Sequence, residues 1–309
     1  MGVVAVAGGS GGVGKTVVEQ LILSGKHEIF ILGRTAPAEQ SRDGPKFISV
    51  DYTNVASLAE TLESHNVDTV ISTITLNETT ETAQLNLIEA AKRSDKTKRF
   101  IPSEFGSLNT PEFAKVESFA KPWVRAADAL KASGLEYTRF VNGFFMDYWG
   151  MPHIKTHMPA FNFAFDIENC KAVIPGSGNE PLTLTYTVDV ARFVVRALDV
   201  EDWPELSIIS GSDLTLNEAL AKIERIRGKK FDVIYDSEEK LNSNQSTILS
   251  GYVGIPDEMF QSLNSAFGRT IIQGYLAMPK ENRISDKHPD IRPLTVDELL
   301  AKSWGAKSS

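Results

Sequence analysis

Cysteine is nearly absent from this chain of 309 residues. Cys170 stands alone, which excludes an internal disulfide and makes a reducing compartment, the cytoplasm, the expected one. An excess of basic charge is missing as well. The formal net charge of −8 leaves no general footprint for nucleic acid or an anionic membrane, so neither is expected as a partner. No apolar run approaches membrane-spanning length. The chain enters Val3-Val4-Ala5-Val6-Ala7 without a basic stretch or a small-residue cleavage site. Val6 also breaks the acylation pattern that Gly2 could begin, so no targeting segment is expected. Repeats and biased tracts are absent too. What remains, 42% hydrophobic and 23% charged residues, is the profile of a folded protein with length for about two domain-sized units.

Short apolar runs alternate with helix-period segments through the first half. Val3 to Ala7, Glu28 to Leu32, Phe47 to Val50, Thr69 to Thr73 and Arg99 to Pro102 read as buried strands. Between them, Val13, Val17, Val18, Leu21 and Ile22 share one helical face, as do Val55, Leu58 and Leu62, and then Leu85, Ile88 and Ala91. A further helix is expected near Pro122 to Ser133, before a strand from Glu136 to Val141. This alternation predicts an α/β fold, a doubly wound parallel sheet with helices on both faces. From residue 149 to 181 the periodicity is lost among Pro, Asn, Gly, His and aromatics. A strand over Pro181 to Leu184 and a helix from Thr187 to Leu198 follow, and then Thr215-Leu216-Asn217-Glu218 reads as a capping box. The expected division is a dinucleotide-binding domain over 1–148 with about 182–210, and a smaller part over about 149–181 and 211–309.

The glycine loop between the first strand and first helix admits two readings. Gly8, Gly11 and Gly14 give a G-x-x-G-x-x-G spacing. Such glycines permit a tight turn, close backbone approach to a pyrophosphate, and helix–strand packing, with the helix N-terminus facing the anion. Gly9 through Thr16 also matches G-x-x-x-x-G-K-[ST], in which Lys15 would reach terminal phosphates, Thr16 would bind Mg²⁺ and Asp51 would be the partner carboxylate.

One further absence tilts the choice. NAD-binding units end their second strand with an acid that binds the ribose diol, and here that strand ends Leu32-Gly33-Arg34-Thr35. A guanidinium suits a 2′-phosphate, because its donors form a fork that matches the phosphate oxygens. NADP(H) is therefore the expected cofactor.

Lys98-Arg99-Phe100-Ile101-Pro102-Ser103-Glu104-Phe105-Gly106 closely resembles the K-R-F-x-P-S-E-F-G stretch of the isoflavone reductase-like, NmrA-type branch of the atypical short-chain dehydrogenases. Gly134-Leu135-Glu136-Tyr137-Thr138, Asn142-Gly143-Phe144-Phe145, Ile174 to Asn179, Thr187 to Ala191 and the Leu216 to Gly228 helix follow in the family's order. The resemblance implies a Rossmann domain, a smaller substrate-binding part, and NADPH-dependent reduction of a small, often aromatic, molecule. It places Ser103 and Phe105 beside the cofactor, while a capped turn before a helix is the plain alternative for that segment. Ser10, Gly12, Val13, Thr73, Lys121, Asn142 and Phe144 complete the expected cofactor-binding set.

The family's catalytic lysine lies in a K-x-x-[VI]-R pattern, and Lys121-Pro122-Trp123-Val124-Arg125 fits it. The segment from Lys121 to Gly134 is about two residues longer than in plant members, and Ala126 replaces a second arginine, so Lys115 and Lys131 are rivals. No tyrosine is followed four positions later by lysine, which removes the proton-handling pair of classical short-chain dehydrogenases. Glu104, Phe145, Tyr148, His153 and His157 are the expected substrate contacts. His153 and His157 would form a metal pair only if helical, and no metal is expected. Two other functions remain open at this point, a dinucleotide-binding regulator without turnover and an enzyme retaining NADP for a non-redox cyclisation.

Overall fold

The computed structural model describes residues 2–35, 44–249 and 256–305. Its opening elements are β1 (Val3–Ala7), α1 (Gly12–Ser24), β2 (Glu28–Gly33), β3 (Lys46–Ser49), α2 (Val55–Ser64), β4 (Thr69–Ser72), α3 (Glu81–Arg93) and β5 (Arg99–Ile101). Next come α4 (Pro111–Val116), a 3₁₀ turn (Ser118–Ala120), α5 (Lys121–Lys131), β6 (Glu136–Tyr137) and β7 (Arg139–Val141). Six strands form one sheet in the order β3-β2-β1-β4-β5-β6, with every pair parallel. That order is the doubly wound one. Strand order reverses between β1 and β4, and in such sheets ligands gather outside the carboxyl ends at this switch.

The expected apolar stripes face inward, with Val13, Val55 and Leu85 half-buried at their edges and one residue left exposed. α1 buries Gly14, Val17, Val18 and Leu21, whereas Ile22 is 50% exposed. The helix stops two residues later, where Gly25 takes a left-handed φ of 63°, and Ile22 with Leu23 overhangs in the last turn. Leu58 and Leu62 of α2 and Leu87, Ile88 and Ala91 of α3 join Phe30, Leu32, Val70 and Phe100 in one core.

The remaining elements are β8 (Phe144–Phe145), α6 (Asp147–Gly150), β9 (Phe165–Asp166), β10 (Lys171–Pro175), β11 (Pro181–Thr185), α7 (Thr187–Ala197) and β12 (Leu206–Ile208). They continue with β13 (Ser212–Thr215), α8 (Leu216–Arg227), β14 (Asp232–Asp236), α9 (Glu238–Asn242), α10 (Asp257–Ile272), α11 (Ile284–Lys287) and α12 (Val296–Trp304). The capping box at Thr215 is formed, with side-chain and backbone bonds to Glu218 in both directions. Two short mixed sheets, β14-β10-β9 and β13-β11-β8, lie among these elements.

Contacts divide the chain into two compact units. The first is Met1–Phe105, Asn109–Val141 and Val190–Ser207; the second is Gly106–Leu108, Asn142–Asp189 and Ile208–Ser309. Residues 142–148 and 182–189, expected with the first, lie in the second because β8 pairs with β11 through Phe144 and Leu184. The second unit has its own aromatic core, built around Phe144, Trp149, Phe161, Phe163, Phe165 and Phe260.

Candidate dinucleotide site

The glycine loop is shaped by what cannot fit beside it. Gly8 has φ 77° and donates its N–H to the Leu32 carbonyl at 3.1 Å. A Cβ on Gly8 would come within 2.9 Å of the Thr73 backbone, and one on Gly14 within 2.3 Å of the Gly8 carbonyl oxygen. Gly11 donates to the Gly8 carbonyl at 2.9 Å and serves as N-cap of α1 without a side-chain cap. The first-turn N–H groups, from Gly12 and Val13 onward, therefore have no capping side chain and no acidic neighbour, which is an anion-binding arrangement. Ser10 is exposed within this loop.

The competing phosphate-loop reading does not fit this geometry. The Thr16 side chain is 2% exposed, and its hydroxyl donates to the Gly12 carbonyl at 3.0 Å, so it is turned into the helix rather than toward a metal. The Asp51 carboxylate accepts from the Thr53 N–H and hydroxyl at 2.9 and 2.7 Å. Those bonds hold its pKa below the usual value.

Arg34 follows directly on β2 and is exposed. Its side chain has no hydrogen bond or ion pair among the described residues, although its carbonyl accepts from the Ser49 hydroxyl at 3.0 Å. Tyr52 was not singled out in the sequence. Its hydroxyl donates to the Leu32 carbonyl at 3.0 Å, the same oxygen that accepts from Gly8. Burial pushes the phenol well above its ordinary range, so Tyr52 is a neutral brace between β2 and the glycine loop. Just past the end of β4, the Thr73 N–H and hydroxyl both donate to the Ala7 carbonyl at 2.8 Å.

The segment Ser103–Phe105 follows β5 at the sheet's carboxyl edge. It is not a cap: no helix begins until Pro111. The Ser103 N–H donates to Gln84 Oε1 at 3.1 Å. Phe105 has φ 36°, a left-handed conformation that costs a bulky residue of order 1–3 kcal/mol. Its N–H donates to the Phe140 carbonyl at 2.9 Å and its ring lies over Phe140 at 6.4 Å.

Glu104, expected at the substrate, has another task. Its carboxylate takes a two-pronged bond from Arg139, Nε to Oε2 at 3.0 Å and Nη2 to Oε1 at 2.8 Å. The side chains are 2% and 7% exposed. Asn109 Nδ2 donates to Glu104 Oε1 at 3.0 Å, and Arg139 Nη2 also reaches the Asn109 carbonyl at 2.7 Å. Burial opposes the guanidinium charge, and the Glu104 carboxylate more than offsets it, so the Arg139 pKa stands above its ordinary value. Arg139 was missed; its signal was a charge inside a strand of otherwise buried residues.

Lys121 begins α5 and is exposed. Its side chain makes no hydrogen bond or ion pair among the described residues, while its backbone N–H donates to the Ser118 carbonyl; Arg125, one turn on, is held by Glu81 at 2.7 Å. The rival lysines, Lys115 and Lys131, are exposed near the ends of α4 and α5.

In the second unit, Asn142 is fully buried with its Oδ1 unpartnered, and its carbonyl accepts from the Thr185 hydroxyl at 2.9 Å. Phe144 is 4% exposed and packed among Tyr148, Trp149 and Phe163 at 5.3 to 6.2 Å. It is a core residue, which is at odds with its expected place in the cofactor-binding set. Phe145 and Tyr148 are half-buried. His153 and His157 lie outside any helix, so the spacing that suggested a metal pair has no basis, and the His153 ring packs edge-on against Trp304 at 4.6 Å. His157 is half-buried. Among the described residues no cluster of three or more His, Cys, Asp or Glu side chains could hold a metal, and no helix is long and apolar enough to cross a membrane.

The model of the NmrA-like family matches residues 1–286. The chain is 30% identical to the oxidoreductase swnN of Metarhizium robertsii, over 100% of this chain and 99% of that one. It is 37% identical to the oxidoreductase BOA1 of Botryotinia fuckeliana, over 74% and 77% respectively. A solved structure of leucoanthocyanidin reductase with NADPH from Vitis vinifera superposes with a TM-score of 0.73 at 21% identity, covering 98% and 99% of the two chains. At that identity the likeness bears on the fold.

Proposed function

This chain belongs to the NmrA-like family, and on that premise we propose that it is an NADPH-dependent reductase of a small aromatic or secondary-metabolite molecule. One observation carries the cofactor reading: Arg34 stands exposed at the end of β2, its side chain unpaired among the described residues, where a diol-binding acid would favour NAD. The glycine cradle supports it, since added side-chain carbons at Gly8 and Gly14 would collide with backbone. In this reading the Gly8–Gly14 loop and the α1 N-terminus hold the pyrophosphate, and Arg34 pairs with the 2′-phosphate. The Ser103–Phe105 turn receives the nicotinamide end. Bound NADPH supplies a hydride. Lys121, an exposed ammonium at the start of α5, supplies the proton to the substrate. The relatives named above, both oxidoreductases, support turnover over a purely sensing role.

Calorimetry with NADPH and NADH tests the proposal. Tighter binding of NADPH is expected, and Arg34→Ala should weaken NADPH by roughly 10- to 100-fold, as for loss of a hydrogen bond to a charged group, with NADH unchanged. Equal affinities for the two cofactors would sink it. NADPH oxidation should then be followed with a panel of aromatic substrates. Lys121→Met should abolish turnover while leaving NADPH affinity intact.

A further inference from the structure

The turn Ser103–Phe105 carries more constraint than a strand end needs. Its first residue is tied to α3 through Ser103 N–H and Gln84 Oε1. That bond fixes the Gln84 amide, and its Nε2 is left buried without an acceptor. The middle residue, Glu104, is locked by the fork of Arg139 and by Asn109. The third, Phe105, is kept left-handed at φ 36° with its N–H on the Phe140 carbonyl. Arg139 and Phe140 are neighbours on β7, so one strand grips both the carboxylate and the strained backbone.

Each of these features is unfavourable when considered alone. A buried ion pair is often no better for stability than apolar side chains of the same volume. Strained residues and buried unsatisfied donors persist mainly where surrounding structure forces them, and they gather at functional sites. Here all three meet at three consecutive residues at the carboxyl edge of the sheet, after β5, which pairs with β4 at one strand's remove from the switch point.

We propose that Arg139 is a positioning residue. Through its fork on Glu104 it holds Phe105 in the left-handed form that receives the nicotinamide half of NADPH. The proposal rests on the NADPH reading above, and it predicts that the two halves of the cofactor respond differently to loss of the pair. The adenosine half depends on the glycine loop and Arg34, the nicotinamide half on the turn.

Two variants separate these. Arg139→Lys keeps the charge but loses the planar fork. The double variant Arg139→Met with Glu104→Gln removes both charges together and leaves no lone buried ion. For each, 2′,5′-ADP affinity is read by calorimetry, and NADPH by affinity and by the emission of its nicotinamide ring on binding. The expected result is 2′,5′-ADP affinity within twofold of wild type in both. NADPH should weaken at least tenfold in the double variant and lose the wild-type shift in nicotinamide emission. A folded double variant that binds NADPH with wild-type affinity and emission would overturn the proposal. So would loss of fold in both variants, read by circular dichroism, because the pair would then be structural support. If the wild-type protein bound neither 2′,5′-ADP nor NADPH, the cofactor reading itself would fall.

Discussion

A Cβ placed on Gly14 would stand 2.6 Å from the Thr73 hydroxyl oxygen, which itself donates to the Ala7 carbonyl at 2.8 Å. The first turn of α1 thus approaches the ends of β1 and β4 closely enough to exclude any side chain. Alanine is the better helix former by about 1 kcal/mol, yet Gly14→Ala should destabilise the protein, because the nearest obstacle is the Gly8 backbone oxygen at 2.3 Å. The helix must shift, and the cradle with it. Thermal melts should show a lower Tm, and calorimetry at least a tenfold loss of NADPH affinity. Unchanged values for both would show that the loop tolerates the extra carbon.

Asp147 is a second long-range anchor, within the other unit. It is fully buried. Its carboxylate accepts from the Thr187 N–H at 2.9 Å, from the Thr187 hydroxyl, and from the Thr156 hydroxyl at 2.7 Å. It therefore caps the start of α7 and ties down the irregular segment after α6. Burial raises its pKa, although the threonine bonds resist the shift. Asp147→Ala should cost about 2–3 kcal/mol, combining a lost cap with buried donors left unpaired. Asp147→Asn should cost much less, since its amide can accept from the N–H and donate to the hydroxyls. Denaturant titration of both variants checks this; equal costs would rule out the capping account.

His27 gives an acid-sensitivity prediction. Both ring nitrogens are buried without a partner, and burial lowers its pKa, opposed by Asp199 and Asp68 and assisted by Lys26. In the unfolded chain the imidazole takes a proton near its ordinary value of about 6.5. Folded, it takes one only at lower pH. The unfolded state thus binds more protons across that window, and stability is lost as pH falls through the unfolded value. His27→Leu should therefore show a smaller drop in Tm than wild type between pH 7.5 and 5.5. The same drop in both proteins would remove His27 from the account.

Much of this was legible in the chain itself, and what was legible shares a cause. Apolar residues at spacing 2 or 3.6 belong to single strands and helices, so β1 to β5 and α1 to α3 could be read one at a time, and a parallel sheet with helices on both faces followed from their alternation. The glycines of the first loop answer to backbone conformation and close approach, which are demands on single positions. The place of Arg34 at the end of a strand was readable for the same reason. The exceptions were also physical. Ile22 kept the helical period but ran beyond the surface that could cover it, and Phe144 carried the right residue type into a core.

What the sequence by itself determined, then, was the element order, the parallel sheet and the tight glycine loop, because these rest on periodicity and local backbone geometry. Only the tertiary structure decided that Glu104 faces Arg139, 35 residues away, and not a substrate. The same holds for Asp147, which caps a helix starting 40 residues later, and for the exclusion of a side chain at Gly14 by Thr73. Such pairings depend on strand register and on where the chain returns, and no local pattern encodes them. The cradle read first from three glycines is therefore held in shape by partners that only folding brings to it.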